Sequence, residues 1–389
     1  MDFALSAEQR MLINTVRRFV DAELRPLEQG VEDSGMLAPD VAEAIKAKSR
    51  VLGLYAMNMP EALGGGGLSA VDWMLVEEEF GRTTDILVRR AFGNVYEILL
   101  AGTLAQMDRW LIPAIRGERV FSVALTEAEA GSDAAAIRTR AVRSGDGWVL
   151  SGQKQFISDA LYSDFYVITA VTDPNIGARG ITTFIVDRDA AGVTVGPDQP
   201  MMGLRGTTHA GLTFDNVALG PENLLGTEGQ GLKLALETLG RVRLAQVAAR
   251  AVGKATLLLE MAVDHAGNRQ QFGQPIGAFQ SIGQMLADSA VEINATRLAL
   301  WQAAWMLDQG HPARTQISAV KLQSSEMMGR VADRVVQIFG GLGFSKDMGV
   351  ERYYRDARIY RIFDGTSEIH RNVIARRLLD GDDSYKIPA

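Results

Sequence analysis

GWVLSGQKQFIS, residues 147–158, is the longest of six apolar runs between Val120 and Leu225; the others are FSVALT (121–126), DFYVITAVT (164–172), ITTFIVD (181–187), VTVG (193–196) and LTFDNVAL (212–219). β-Branched and aromatic residues dominate them, and Gly, Asp and Pro fill the gaps, the pattern of strands joined by turns. Together they predict a compact antiparallel β-domain. Within the longest run, SGQKQFIS (151–158) reads as a hairpin that brings Phe156 and Ser158 to one end of that domain. Taken alone, Phe156 reads equally as core and Ser158 as a solvated strand residue.

The sequence on either side has a helical period. Ser6 and Gln9 have capping-box spacing, and Leu12, Val16, Phe19 and Val20 follow at helical intervals. Helices are predicted to about Gly117, broken at MPEALGGGGLSA (59–70), where Pro60 and the glycines 64–67 form a loop. A phosphate cradle is the other reading of those glycines, but no Lys-Ser/Thr follows them as a P-loop needs. Beyond Gly226, Leu232, Ala235, Leu236 and Leu239 share one helical face, and Ile282, Met285 and Leu286 repeat the pattern. The fold class is α+β, with blocks at 1–119 (all-α), 120–228 (β) and 229–389 (helical bundle).

Composition narrows the function. The 389 residues carry a formal charge of −7, which gives no general attraction to nucleic acid or an anionic membrane. Cysteine is absent and the four histidines (His209, His265, His311, His370) show no ligand spacing, which excludes disulfides and argues against a metal site. The N-terminus MDFALSAEQRML has no basic-then-apolar leader, and no apolar stretch reaches membrane-spanning length, so a cytoplasmic protein is expected.

LTEAEAGSD (125–133) puts small residues, hydroxyls and free amides in a loop suited to close approach of a ligand. Followed by SGQKQFIS, it resembles the paired flavin-binding signatures of the acyl-CoA dehydrogenase superfamily. RQQFGQPIGAFQ (269–280) resembles the family segment that crosses a dimer interface to the FAD pyrophosphate, and VQIFGGLGF (336–344) its companion. YRDARIYRIFDGTSEIHR (354–371) resembles the C-terminal segment that carries the catalytic base.

The resemblance spans essentially the whole chain. It implies an N-terminal helical domain, a middle antiparallel β-domain and a C-terminal four-helix bundle. It also implies FAD as cofactor, an acyl-CoA substrate, an electron-transfer flavoprotein as electron acceptor and a homotetramer, with no nucleic acid or membrane partner. Carried over by position, Leu125 and Thr126 meet the flavin ring, Gly131 and Ser132 the FAD phosphate region, and Phe156 and Ser158 the ring's other side. Arg269, Phe272, Gln280, Gln337, Gly340 and Gly341 serve a neighbouring subunit's FAD, with Thr366 and Glu368 also at the cofactor. Ser132, Arg243, Gly365 and Arg376 are the expected substrate contacts, Arg243 lying one residue out of the family's register, and Tyr96 and Glu97 line the acyl pocket. The seven arginines against four acidic residues in 351–377 would serve phosphates of FAD or CoA, or form a solvated helix face.

In most relatives a Glu precedes Gly-Thr in the last signature; here Asp364 precedes Gly365 and Thr366. A thioester α-proton is only modestly acidic, so a positioned carboxylate is required, with the β-hydrogen leaving as hydride to the flavin N5. Losing a methylene retracts the carboxylate by about a bond length, and misplacement of about 1 Å costs roughly a hundredfold. Asp364 is the expected base, Glu237 a poor second, since LGRVRLAQVAAR (239–250) offers no carboxylate. Asp at this position is shared with relatives acting on cyclic or bulky acyl-CoAs, and with nitroalkane oxidase. The alternatives are therefore an oxidase of the nitroalkane-oxidase or acyl-CoA-oxidase kind, or a non-catalytic flavin-containing binding protein.

Overall fold

The chain enters its first helix through the predicted capping box: the Ser6 hydroxyl accepts the Gln9 amide at 3.1 Å and the Gln9 side chain accepts the Ser6 amide at 2.9 Å. The computed structural model describes residues 4–383; the first three residues, on which part of the reading of the N-terminus rests, and the last six lie outside the described residues. Helices α1 (Ala7–Phe19), α2 (Glu28–Ser34), α3 (Pro39–Val51), α4 (Ala70–Phe80), α5 (Asp85–Ala91), α6 (Leu104–Gln106) and α7 (Ile112–Ile115) precede the sheet. The glycine run at 64–67 packs on its own chain: a Cβ on Gly65 would lie 2.2 Å from the Met59 carbonyl oxygen, and one on Gly66 2.8 Å from the Met57 Cα. Close backbone approach accounts for these glycines, and the loop reading holds.

The sheet contains β1 (Phe121–Ala124), β2 (Arg140–Ser144), β3 (Gly147–Ser158), β4 (Phe165–Val171), β5 (Ile181–Asp187), β6 (Val193–Val195), β7 (His209–Leu219) and β8 (Leu224–Leu225) in the order β6-β7-β3-β2-β4-β5-β8, with β1 on β4. It is antiparallel except where β1 and β2 meet β4 in parallel. The predicted hairpin at 151–158 is corrected: β3 is one continuous strand paired along β7, and it turns back instead through residues 145–146 onto β2. What reads as a turn is a pair of bulges, between Leu150 and Gly152 and between Lys154 and Ile157, with φ +149° at Gly152 and +59° at Phe156. The mostly polar β2 escaped the sequence pattern.

After the sheet come α8 (Gly231–Val242), a π-helical run Arg243–Ala249 and α9 (Arg250–Asn268), then a small hairpin of β9 (Gln270–Gln271) and β10 (Gln274–Pro275). Helices α10 (Gln280–Asp308), α11 (Arg314–Phe339), α12 (Gly341–Phe344), α13 (Val350–Ala357) and α14 (Ser367–Leu379) complete the chain. Among the described residues no helix is long and apolar enough to cross a membrane. On α8, Leu232 and Ala235 are buried as their spacing predicts, while Leu236 is exposed.

The two helical blocks share one hydrophobic core: Val16, Phe80, Leu87 and Phe92 pack in the same cluster as Leu244, Leu258, Val331 and Tyr360. A second core fills the sheet around Trp148, Tyr166 and Phe184, and a third, around Phe121, Phe165, Trp110 and Ala235, joins sheet to helices. Across the shared core, Arg250 on α9 donates to Glu77 on α4 at 2.7 Å, both side chains essentially inaccessible. Arg250→Met strands the Glu77 carboxylate there and is expected to cost roughly 3–5 kcal/mol in denaturant unfolding. A loss below about 1 kcal/mol would contradict this account of the pair.

Candidate active site

Between α13 and α14 the chain passes through a 3₁₀ turn, Arg358–Arg361, and then a tight bend at 362–366. Asp364 has φ +52° and Gly365 φ +92°. Aspartate tolerates this left-handed region better than most residues. Glycine is required at the next position on a second ground, because a Cβ there would lie 2.9 Å from the His370 ring nitrogen. Thr366 caps α14, its hydroxyl accepting the Ile369 amide at 3.2 Å.

The bend is held by its carbonyls. Arg243 Nε donates to the Asp364 carbonyl at 2.8 Å, and His370 Nε2 lies 3.1 Å from the same oxygen. A carbonyl only accepts, so this contact requires the Nε2–H tautomer. Lys321 Nζ, fully buried on α11, donates to the Gly365 carbonyl at 2.6 Å and the Tyr360 carbonyl at 2.7 Å, and Ser325 Oγ also donates to Tyr360 at 2.7 Å. The Asp364 carboxylate, in contrast, accepts no hydrogen bond and enters no ion pair among the described residues.

Burial pushes the Asp364 carboxyl above the usual carboxylate range, against the opposing pull first of Arg243, then of Lys321 and Arg89. Burial likewise lowers Lys321 to about 8, with Asp364 as the main opposing charge. His370 is pushed down to about 4 by burial and then by Arg243, so it is neutral at pH 7.

The second group of predicted residues lies where β1 leads into its loop beside β3. Gln155 donates its amide to the Thr126 carbonyl at 2.9 Å. Buried Lys154 donates to the Leu125 carbonyl at 3.1 Å and to the Glu127 carboxylate at 2.8 Å. These bonds bring Leu125, Thr126, Phe156 and Ser158 together. Phe156 is 51% exposed, which removes its core reading, and Ser158 is half-buried with its carbonyl accepting from Ser122 Oγ at 2.6 Å. Gly131 and Ser132 lie exposed on the following loop, with open space where a Gly131 Cβ would stand.

A third group occupies one end of the bundle. Arg269, exposed, leads into the β9–β10 hairpin, whose tip residues Phe272 and Gly273 both have positive φ, +53° and +78°. That is the primed turn natural to two-residue hairpins, with a phenylalanine where Asn or Asp is usual. Phe272 is 92% exposed. His265 stacks on Phe339 at 4.2 Å, which sets the end of α9 beside the exposed Gln337, Gly340 and Gly341 at the end of α11, and Gln280 opens α10 nearby. Within the chain no hydrogen bond or ion pair among the described residues joins these side chains to Asp364 or to the 125–158 group. Glu368 is exposed in the first turn of α14, whereas Arg376 lies in its last turn, roughly 15 Å along the axis from Thr366.

Arg243, expected at the substrate, bonds through Nε to the Asp364 turn from the start of the π-helical run, a feature frequent at functional sites. Glu97 is tied to Arg241 at 2.9 Å, and the Tyr96 hydroxyl reaches Gln246 at 3.4 Å. Sequence reasoning missed Lys321, His370, Gln246 and Arg89. Lys321 carries a usable signal: with Ile317, Ser324 and Met328 it falls on the buried face of α11, where a lysine needs a partner.

The N-terminal, middle and C-terminal domains of acyl-CoA dehydrogenase match residues 6–118, 122–217 and 229–379. The chain belongs to the acyl-CoA dehydrogenase family. It is 37% identical to the mitochondrial short-chain specific acyl-CoA dehydrogenase of Bos taurus over 96% of this chain and 91% of that protein. Among solved structures it resembles a glutaryl-coenzyme A dehydrogenase bound to glutaryl-CoA (TM-score 0.92, 31% identity, 100% and 99% of the two chains). It also resembles the FAD complex of PigA (0.90, 28%, 97% and 99%). The family is FAD-dependent, and the residues fit that cofactor: a half-exposed aromatic on β3, hydroxyls beside it, and glycines 131, 340 and 341 with nothing within 4 Å of a would-be Cβ.

Because the fold raises the Asp364 pKa, the native state prefers the protonated carboxyl. Its contribution to stability is fullest below the unfolded-state value and is lost as pH rises through the raised native one. Asp364→Asn, neutral at every pH, should melt above the parent at neutral pH, the gap closing on acidification. An Asn variant that melts lower at neutral pH would refute the assignment.

Proposed function

We propose that this protein removes two hydrogens from the Cα–Cβ bond of an acyl-CoA thioester, with Asp364 taking the α-proton. The observation that carries the reading is the unpaired, half-buried carboxylate on a turn fixed by its carbonyls. A carboxylate whose own lone pairs are unoccupied is open to a proton, and burial makes it a stronger base than a solvated aspartate. Arg243 and Lys321 stand close enough to moderate the cost of its charge without bonding to it. Once it holds the proton it is neutral, the form the buried site favours. FAD, when bound, accepts the β-hydrogen as hydride.

Leu125, Thr126, Phe156 and Ser158 would hold the isoalloxazine ring, Gly131 and Ser132 the adjoining phosphate region, and Thr366 and Glu368 would flank it beside the base. Arg269, Phe272, Gln280, Gln337, Gly340 and Gly341 would serve the cofactor of a neighbouring subunit in a homotetramer. The 92% exposure of Phe272 and 84% exposure of Phe344 at that end of the bundle support an oligomer. Gly365 borders the base, and Ser132, Arg243 and Arg376 are the further proposed substrate contacts. The acceptor proposed is an electron-transfer flavoprotein, and the location cytoplasmic. An alicyclic or α-branched acyl group is the finer reading, since it presents a substituted Cα to a carboxylate one methylene shorter than glutamate.

Anaerobic addition of linear, branched and cyclic acyl-CoAs to the FAD-loaded protein should bleach the flavin. Asp364→Asn should slow bleaching by roughly 10²–10⁴-fold, the range for removing a general base. The rate in the parent should fall as pH drops through the raised Asp364 pKa. Absence of bleaching by every thioester, with peroxide formed from nitroalkanes and oxygen, would replace this reading with the oxidase one.

A further inference from the structure

Arg89 and Arg90, on the last turn of α5, both bind one carboxylate. Arg89 Nη1 lies 3.1 Å from Asp159 Oδ2 and Arg90 Nη2 2.9 Å from Asp159 Oδ1, with side-chain exposures of 11%, 10% and 4%. The neighbouring buried cations are matched one to one, Arg250 with Glu77 and Lys254 with Asp85. Here two guanidiniums share a single carboxylate, so not all of their N–H donors can be met by it. Buried donors left unmet are costly until an acceptor reaches them.

The two arginines are not equivalent. Arg90 also lies over the Tyr162 ring, 4.7 Å from its centroid. Arg89 uses only Nη1: its Nε is buried with no hydrogen-bond partner, and no bond is made by Nη2. The Nε–Nη2 edge is the fork that grips a carboxylate through two parallel bonds. Five residues on, Asn94 has a second orphaned buried donor, Nδ2, while its Oδ1 faces Gln246 Nε2 at 3.4 Å, and Gln246 in turn meets the Tyr96 hydroxyl at 3.4 Å. The positive charge of Arg89 is felt at both Tyr96 and Asp364, so its guanidinium and the proposed base lie in one region of the protein.

We infer that Arg89, assisted by Asn94, receives a negatively charged end of the acyl chain, so that the substrate is the mono-CoA thioester of a dicarboxylic acid. This rests on the acyl-CoA dehydrogenase reading and adds to it the far end of the substrate. A ring or branch concerns Cα; the carboxylate concerns the opposite terminus. An acyl chain with an apolar end would leave the guanidinium edge and the Asn94 amide unmet. The bland alternative is that Arg89 and Arg90 merely tie α5 to the loop after β3.

The test compares, by anaerobic flavin bleaching, mono-CoA thioesters of dicarboxylic acids with monocarboxylic acyl-CoAs of equal chain length. Parent, Arg89→Met and Arg89→Lys are followed together with their melting temperatures. The parent should favour the charged member by about tenfold or more in kcat/KM, as expected for a hydrogen bond to a charged group. Arg89→Met should abolish or reverse that preference, chiefly through KM. Arg89→Lys, which keeps the charge but loses the two-bond edge, should retain part of it and serves if the methionine variant fails to fold. Equal or better turnover of the uncharged member by the parent overturns the inference while leaving the dehydrogenase reading intact. So does an equal loss on both substrates in Arg89→Met, which would leave only the structural tie. Failure of every thioester to bleach a bound flavin overturns both.

Discussion

Two cations, half-buried Arg243 and fully buried Lys321, bond to backbone carbonyls of the bend at Asp364 and Gly365 and not to the carboxylate between them. Had either paired directly with Asp364, the carboxylate would be stabilised as an ion and its lone pairs occupied. As built, the backbone is fixed from the start of the π-helical run, from α11 and from His370 on α14, while the side chain stays free. A short side chain on a rigid turn has little freedom to wander. That suits a base which must meet one proton at one place.

The rest of the fold serves to bring those three segments together. Arg243, Lys321 and Asp364 are distant in sequence, and they meet because the helical blocks on either side of the sheet bury a common core and are pinned by Glu77–Arg250 and Asp85–Lys254. The sheet is joined to the helices through a cluster in which Phe121 and Phe165 pack with Trp110 and Ala235, and through Asp159 beneath Arg89 and Arg90. The same Asp159 follows directly on Ser158, so the link that docks the sheet also fixes the strand end that carries Phe156 and Ser158.

Period and punctuation made the α-then-β-then-α order legible, because strand runs and helical faces are local signals. The first capping box was legible to the atom, and so was the loop character of the glycine run. The hairpin at 151–158 was misread since a Ser-Gly pair inside a strand signals a bulge as readily as a turn, and only cross-strand pairing to β7 decides between them. Positive φ at Phe156, Phe272 and Asp364 had no sequence mark, each being imposed by neighbours in space. Family signatures led to Asp364 and to the 125–158 and 269–280 segments. They did not lead to Lys321 or Arg89, whose roles come from partners 44 and 70 residues away. Arg243 was found by position, but its bond to the Asp364 carbonyl was not, as no side-chain pattern reveals a carbonyl target.

The central claim is that Asp364 is an unpaired carboxylate whose pKa partial burial raises. Difference infrared titration, parent minus Asp364→Asn, isolates its carboxyl stretch directly. A protonated carboxyl band that persists to pH values above the ordinary aspartate range, and then disappears in a single titration, is the predicted result. A group already ionised at or below that range would mean that a partner pairs with it, and would contradict the account.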